Sequence, residues 1–163
     1  MRPLTETDIR ASFVNCSKGE AKRIALPRDL ADRPWPDLDF LGWRDPGALD
    51  RAYLVAPGDG DALVGVTLRI AAQQRGFLHR NMCSLCLTTH PGNGVSLMTG
   101  RRAGEAGRKG DSVGSYICSD LACSLYVRGL RTPDAGGPRE TLSVDEKVER
   151  TRGKLDAFLA RIL

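Results

Sequence analysis

Apolar residues in the first forty positions come in short bursts. Ile9, Phe13 and Val14 fall on one side of a helix over residues 5–15. Thr5 is placed to cap that helix, with Asp8 three residues on as in a capping box. Residues 17–25 predict a second short helix, stopped by Pro27. Prolines and charges then mark residues 27–37 as connecting chain. Beyond them the pattern changes. Residues 38–44 predict a strand or irregular packing segment with Trp43 in the core, and Asp45-Pro46-Gly47 a turn. Residues 51–56 and 62–71 predict two strands of a β-hairpin, joined by the turn-rich Pro57-Gly58-Asp59-Gly60-Asp61. Residues 95–99 and 113–117 predict two more strands. At the far end Val144, Val148, Leu155, Phe158, Leu159 and Ile162 form the apolar stripe of a helix from Ser143 to about Ile162. Ser143 and Glu146 can form its capping box. Gly153 weakens its middle by roughly 1 kcal/mol relative to alanine. The pattern is that of an α+β fold: short N-terminal helices, a small antiparallel sheet, and a C-terminal amphipathic helix.

Composition sharpens this picture in two places. Aromatic residues make up only 6 % of the 163-residue chain. The core is therefore thin for its length, and a bound metal is expected to contribute folding energy. The net charge of +4 is mild, but it is unevenly placed. Residues 75–131 hold eight Arg or Lys against three Asp or Glu. That stretch predicts a basic face suited to an acidic protein or to RNA. No apolar run approaches the ~18 residues of a membrane-spanning helix, and the first residues lack an apolar secretory core. A cytoplasmic setting, with a monomer as the simpler state, is the expectation.

Candidate chemistry centres on four of the five cysteines. Cys83 and Cys86 form a C-x2-C pair; Cys118 and Cys123 form a C-x4-C pair, with thirty-one residues between the two pairs. Four thiolates at this spacing can close a tetrahedral site around Zn2+. The first pair suits a tight knuckle. The second suits the end of a strand followed by a helix over residues 121–127, with Ser119 and Asp120 as helix-starting residues. Knuckle, hairpin, strand and ligand-bearing helix make a treble-clef finger over about residues 76–131. Four thiolates on Zn2+ leave a formal charge of −2, for which Arg80 and Arg128 are candidate counter-charges. Iron in a rubredoxin-like site and a dithiol redox pair are the alternatives. His79 and His90 are possible substitute ligands, more simply read as surface or turn residues. Cys16 stands apart as a buried or half-buried thiol.

Several enzyme signatures are missing. Four cysteines leave zinc no open position for water. The zinc-deaminase pattern and the Gly-x-Ser-x-Gly elbow do not occur. The basic glycine-rich loop over residues 100–110 is not a phosphate loop, because Lys109 is followed by Gly110. Asp59 and Asp61 lack the other ligands of a calcium loop. A non-enzymatic binding protein is the expectation.

At the cysteines the chain resembles a known family. The stretch from Arg80 to Cys86, then Val95-Ser96-Leu97-Met98, then the run from Ser115 to Gly129 is similar to the FBP family. These are elongation factor G-binding proteins with a C-terminal treble-clef zinc finger, related to fusidic-acid resistance proteins. Phe13 to Glu20 and Asp39 to Trp43 fit the same pattern, so the resemblance spans roughly residues 8–131. It implies one FBP-like domain over residues 1–131; the Pro- and Gly-containing stretch 132–140 then reads as a linker and residues 141–163 as a helix packed on the domain, an extra element relative to the longer resistance proteins. It implies Cys83, Cys86, Cys118 and Cys123 as zinc ligands and elongation factor G or the ribosome as partner. The candidate partner-binding residues near the finger are Met98, Arg101, Lys109, Tyr116 and Tyr126. The competing reading is direct RNA or DNA binding by the basic face of residues 75–131.

Overall fold

The predicted hairpin is the centre of the fold. In the computed structural model, which describes residues 1–72, 80–133 and 140–163, strand β2 (Arg51–Pro57) pairs antiparallel with β3 (Leu63–Ile70) along its whole length. Strand β1 (Leu41–Arg44) adds to the outer side of β2. Two-residue strands β4 (Asn81–Met82) and β5 (Thr89–His90) pair separately at the first cysteine pair. Strand β6 (Val95–Arg101) then joins β3, and β7 (Ser112–Cys118) joins β6. The main sheet has the order β1-β2-β3-β6-β7. The approach to the first cysteine pair, with Phe77, Leu78 and His79, lies outside the described residues, as does most of the 132–140 linker.

Successive side chains in a strand point to opposite faces, so this register sorts the sheet into two sides. Leu41, Trp43, Tyr53 and Val55 share one side. Leu54, Val66, Leu68, Met98 and Ile117 share the other. Each side has its own apolar cluster.

The first side is covered by the N-terminal helices. Helix α1 (Glu6–Ser12) begins with the predicted capping box of Thr5 and Asp8. The Asp8 carboxyl is held down at about 2 by the Arg2 guanidinium and the N–H and hydroxyl of Thr5. Helix α2 (Lys18–Arg23) has a capping box of its own, made by Ser17 and Glu20. One guanidinium nitrogen of Arg10 donates to the carbonyls of Ala21, Lys22 and Ile24 at the C-terminal end of α2. The two helices are therefore tied to each other before either reaches the sheet. Contact with the sheet needs Gly65, where a Cβ would lie 2.3 Å from Ser12 Oγ. There the Val14 N–H donates to the Gly65 carbonyl at 2.9 Å. Ile9, Trp35, Leu38, Trp43 and Tyr53 are buried together, and the Trp43 indole donates to the Ala25 carbonyl at 2.9 Å.

The second side is covered by helix α5 (Val144–Ala160), whose Ser143–Glu146 capping box forms as expected. Val148, Leu155, Phe158, Leu159 and Ile162 are buried against Leu54, Leu68, Met98 and Ile117. The stripe is shorter than predicted, because Val144 remains 49 % exposed. Thr151 is wholly buried between Val148 and Leu155, its hydroxyl donating to the Lys147 carbonyl at 2.8 Å.

Three local expectations change. The glycine-rich stretch over 100–110 is not all loop: β6 runs on to Arg101, and a short helix α3 (Gly104–Arg108) follows. Asn93-Gly94, a dipeptide able to turn a β-hairpin, turns none here but lies in a 3-10 turn over Gly92–Gly94. The helix expected over residues 121–127 starts later, as α4 (Cys123–Val127). Ser119 and Asp120 do not start it. Asp120 instead accepts from the Ala122 N–H at 3.1 Å and shapes the turn between the two ligands.

Candidate metal centre

The four cysteines of the two pairs converge. Their sulfurs lie within 4.8 Å of one another, and all four side chains are buried. Cys83 and Cys123 sulfurs are 3.7 Å apart, and those of Cys86 and Cys118 3.5 Å. A disulfide would need about 2.05 Å. A tetrahedral ion with Zn–S bonds of about 2.3 Å needs sulfurs roughly 3.8 Å apart. The donor set therefore fits zinc, with all four positions taken by protein.

Each ligand comes from a different kind of local structure. Cys83 and Cys86 flank a knuckle closed by the Leu87 N–H to the Cys83 carbonyl at 3.0 Å and the Cys83 N–H to the Thr88 carbonyl at 2.9 Å. Cys118 ends β7, and Cys123 opens α4. The Ser84 N–H donates to the Tyr116 carbonyl at 2.7 Å, tying the knuckle to β7. Leu87 and Leu121 both adopt left-handed backbone, with φ of 59° and 57°. A leucine there costs roughly 1–3 kcal/mol and persists only where the surroundings enforce it. One such residue sits immediately after the first pair and one between the second. Leu121 is buried against Gly42 of β1, where a Cβ would come within 2.5 Å of the leucine Cβ.

The electrostatics favour a cation. The Cys83 thiol is held far below its ordinary range by hydrogen bonds from Cys118, Cys123 and Cys86. Cys123 is pushed up by Cys118, Cys83 and Cys86. Four thiolates this close repel one another. A bound Zn2+ offsets that repulsion by stabilising all four thiolates.

His90 is not the surface or turn residue expected. It is buried, and its Nε2 lies 3.3 Å from Cys118 Sγ. Its ring and that of Tyr126 make a T-shaped contact, 4.7 Å between centroids. The Tyr126 hydroxyl donates to Asp120 at 2.8 Å, and Arg131 pairs with the same carboxylate at 3.2 Å. His90 thus supports a ligand sulfur without displacing it. Only the chance Cys86-x3-His90 spacing hinted at this in the sequence. Arg128 does not serve as counter-charge to the sulfurs: its guanidinium grips Asp39 at 2.6 and 2.9 Å. Arg152 of α5 binds the same carboxylate at 2.8 Å, and the Asp39 side chain is fully enclosed. Burial pushes that carboxyl up, but the two guanidiniums outweigh it and hold it below its usual value. Asp39 so joins the ligand-bearing helix α4 to the C-terminal helix.

The five candidate partner-binding residues do not form one surface. Met98 must be withdrawn: the strand register turns it inward opposite Ser115, and it is wholly buried. Tyr116 is 54 % exposed on the outer face of β7, opposite Leu97. Arg101 lies on that same outer face at the end of β6. Lys109 is exposed beyond α3 and pairs with Glu105 at 2.8 Å. Tyr126 is half-buried against His90. Cys16 is half-buried, as expected, and burial raises its thiol.

A knuckle from a short hairpin facing a strand end and a helix start, with one cysteine pair from each, defines a treble-clef zinc finger. The chain belongs to the FBP C-terminal treble-clef zinc-finger family, whose model matches residues 8–162. The match runs through α5, beyond residue 131 where the resemblance read from the sequence stops. Among solved structures, the fusidic acid resistance protein FusC is similar in fold, with a TM-score of 0.57 and 18 % identity. The similarity covers 89 % of this chain and 54 % of FusC, so the chain spans about half of that protein's length. No curated protein matches the sequence significantly.

Proposed function

We propose that the chain is a non-enzymatic, zinc-stabilised binding protein that docks on elongation factor G or on the ribosome. Membership of the FBP family supports a role related to that factor. The observation that carries the reading is an exposed aromatic and a thioether beside a rigid metal knuckle. Tyr116 and Met82 are 54 % and 53 % exposed, and the Tyr116 backbone is hydrogen-bonded to the knuckle itself. Aromatic and methionine side chains are enriched at the cores of protein interfaces. Zinc fixes the platform and performs no chemistry, because its four positions are closed by cysteine.

A titration with purified elongation factor G, ribosomes and generic RNA at two salt concentrations tests this. The expected result is saturable binding to the factor or the ribosome, weakened at least tenfold by Tyr116→Ala, consistent with about 1.4 kcal/mol or more from a central aromatic. The variant should keep its zinc and melting temperature. Binding that is sequence-blind for RNA and falls steeply with salt, with none to the factor, favours the nucleic-acid reading instead.

A further inference from the structure

A second feature lies on the other half of the outer sheet face, away from the knuckle. Between the α1–α2 arm and strands β2, β3 and β6 is a cleft of about 380 Å³. Four arginines line it: Arg23 from α2, Arg51 from β2, Arg69 from β3 and Arg101 from β6. Arg51 and Arg69 are directly opposed across two strands. Like charges in that position destabilise a sheet, an effect reduced here by the pairing of Arg69 with Asp50. Only two carboxylates line the cleft, Glu20 and Asp45. Both are already engaged. Glu20 accepts from the Ser17 N–H and hydroxyl at the start of α2. Asp45 accepts from the Tyr53 hydroxyl at 2.6 Å and from the Gly47 and Ala48 N–H groups. Among the described residues, Arg69 pairs with Asp50, and the other three guanidiniums form no ion pair.

We infer that this cleft is a binding site for a small phosphate monoester. With Asp50 paired to Arg69, the four arginines and the two lining carboxylates leave a net excess of one positive charge. A phosphate monoester carries close to two negative charges at neutral pH. The guanidinium fork matches phosphate oxygens in pairs. A volume of 380 Å³ falls in the range of small-molecule sites, about 300–1,000 Å³. An RNA backbone offers one charge per phosphate along an extended path, which suits a long groove better than a compact cleft. The site is separate from the finger and does not depend on the elongation-factor reading.

The test is an amide NMR titration of the zinc-loaded full chain with glycerol phosphate and with inorganic phosphate. Glycerol, sodium chloride at equal ionic strength and a short hydroxyl-ended RNA serve as comparisons. Saturable shifts are expected around Asn15, Thr67 and Thr99 with both phosphates and with neither glycerol nor chloride. Arg23→Gln and Arg51→Gln should each weaken binding by about tenfold, while Arg108→Gln, on exposed α3, should not. Zinc content and melting temperature show that each variant is folded. Shifts that never saturate, that scatter over all basic residues, or that survive both cleft variants overturn the inference. So does RNA occupying the cleft where the monoester does not.

Discussion

The two sides of the sheet are held by different means. On the side facing α1 and α2, aromatic rings do most of the packing. Phe13, Trp43 and Tyr53 contact one another at centroid separations of 5.1–6.5 Å. On the side facing α4 and α5, the large aromatics are few, and four buried cysteines occupy the ground beside Leu85, Ile117 and Leu121. One core is a conventional apolar cluster. The other is completed by an ion, so its stability depends on solution metal as well as on sequence. A chain this poor in aromatics can afford one ring-rich core, and zinc substitutes for the second.

The largest effect should come from the metal side. Cys118→Ser removes a ligand, and a structural zinc site contributes roughly 10–16 kcal/mol of apparent binding free energy in small fingers. The variant should lose stoichiometric zinc and cooperative unfolding, read by elemental analysis and circular dichroism. Retained zinc and an unchanged transition would break the comparison. The aromatic side should respond differently. Trp43→Ala is expected to cost about 3–5 kcal/mol while the folded fraction keeps one zinc per chain. If it released the metal in proportion to stability lost, the two sides would be one cooperative unit and the contrast merely chemical.

Asp39 measures how strongly the halves of the metal side are joined. Asp39→Ala leaves two guanidiniums without their buried partner, expected to cost about 3–5 kcal/mol by chemical denaturation. The pH dependence gives a sharper test. The folded carboxyl titrates below its unfolded value, so its contribution is complete above about pH 4 and is lost as pH falls through the folded value. The stability difference between the native chain and Asp39→Asn should therefore shrink on acidification below about pH 4. A constant difference would show that the ion pairs contribute nothing. Smallest is Ser143→Ala at the start of α5, at about 1 kcal/mol in the melting transition, with zinc affinity unaltered.

Much of this could be read from the residues because the signals were local. Thr5 with Asp8, Ser143 with Glu146, and the Pro57–Asp61 turn between apolar runs each act over a few positions, and each formed. The cysteine spacing pointed to the four side chains that converge for the same reason: tetrahedral zinc admits few arrangements. What stayed hidden depended on register or on distance. Met98 reads as an available apolar residue until strand pairing turns it inward. His90 meets Cys118 only because the knuckle folds onto β7. Asn15 looks like a loop residue, yet its side-chain amide donates to the carbonyls of Thr67 and Arg101, and its oxygen accepts from the Thr67 N–H. It bridges β3 and β6 where they share only two register pairs. Leu121 has no sequence mark of left-handed backbone, since glycine would be the usual choice there. The arginines of the cleft are scattered over nearly eighty residues, too far apart for any window along the chain.

The double clasp on Asp39 also sets an order of assembly. Its two guanidiniums lie 89 and 113 residues downstream. On a growing chain, all four sulfurs have been made before the last of these arginines is added. Metal capture can thus precede closure of the fold, and the nascent finger must wait for α5 to cover it. A product ending before Arg152 would carry a complete ligand set under an unroofed core, exposed to aggregation and to competing metals.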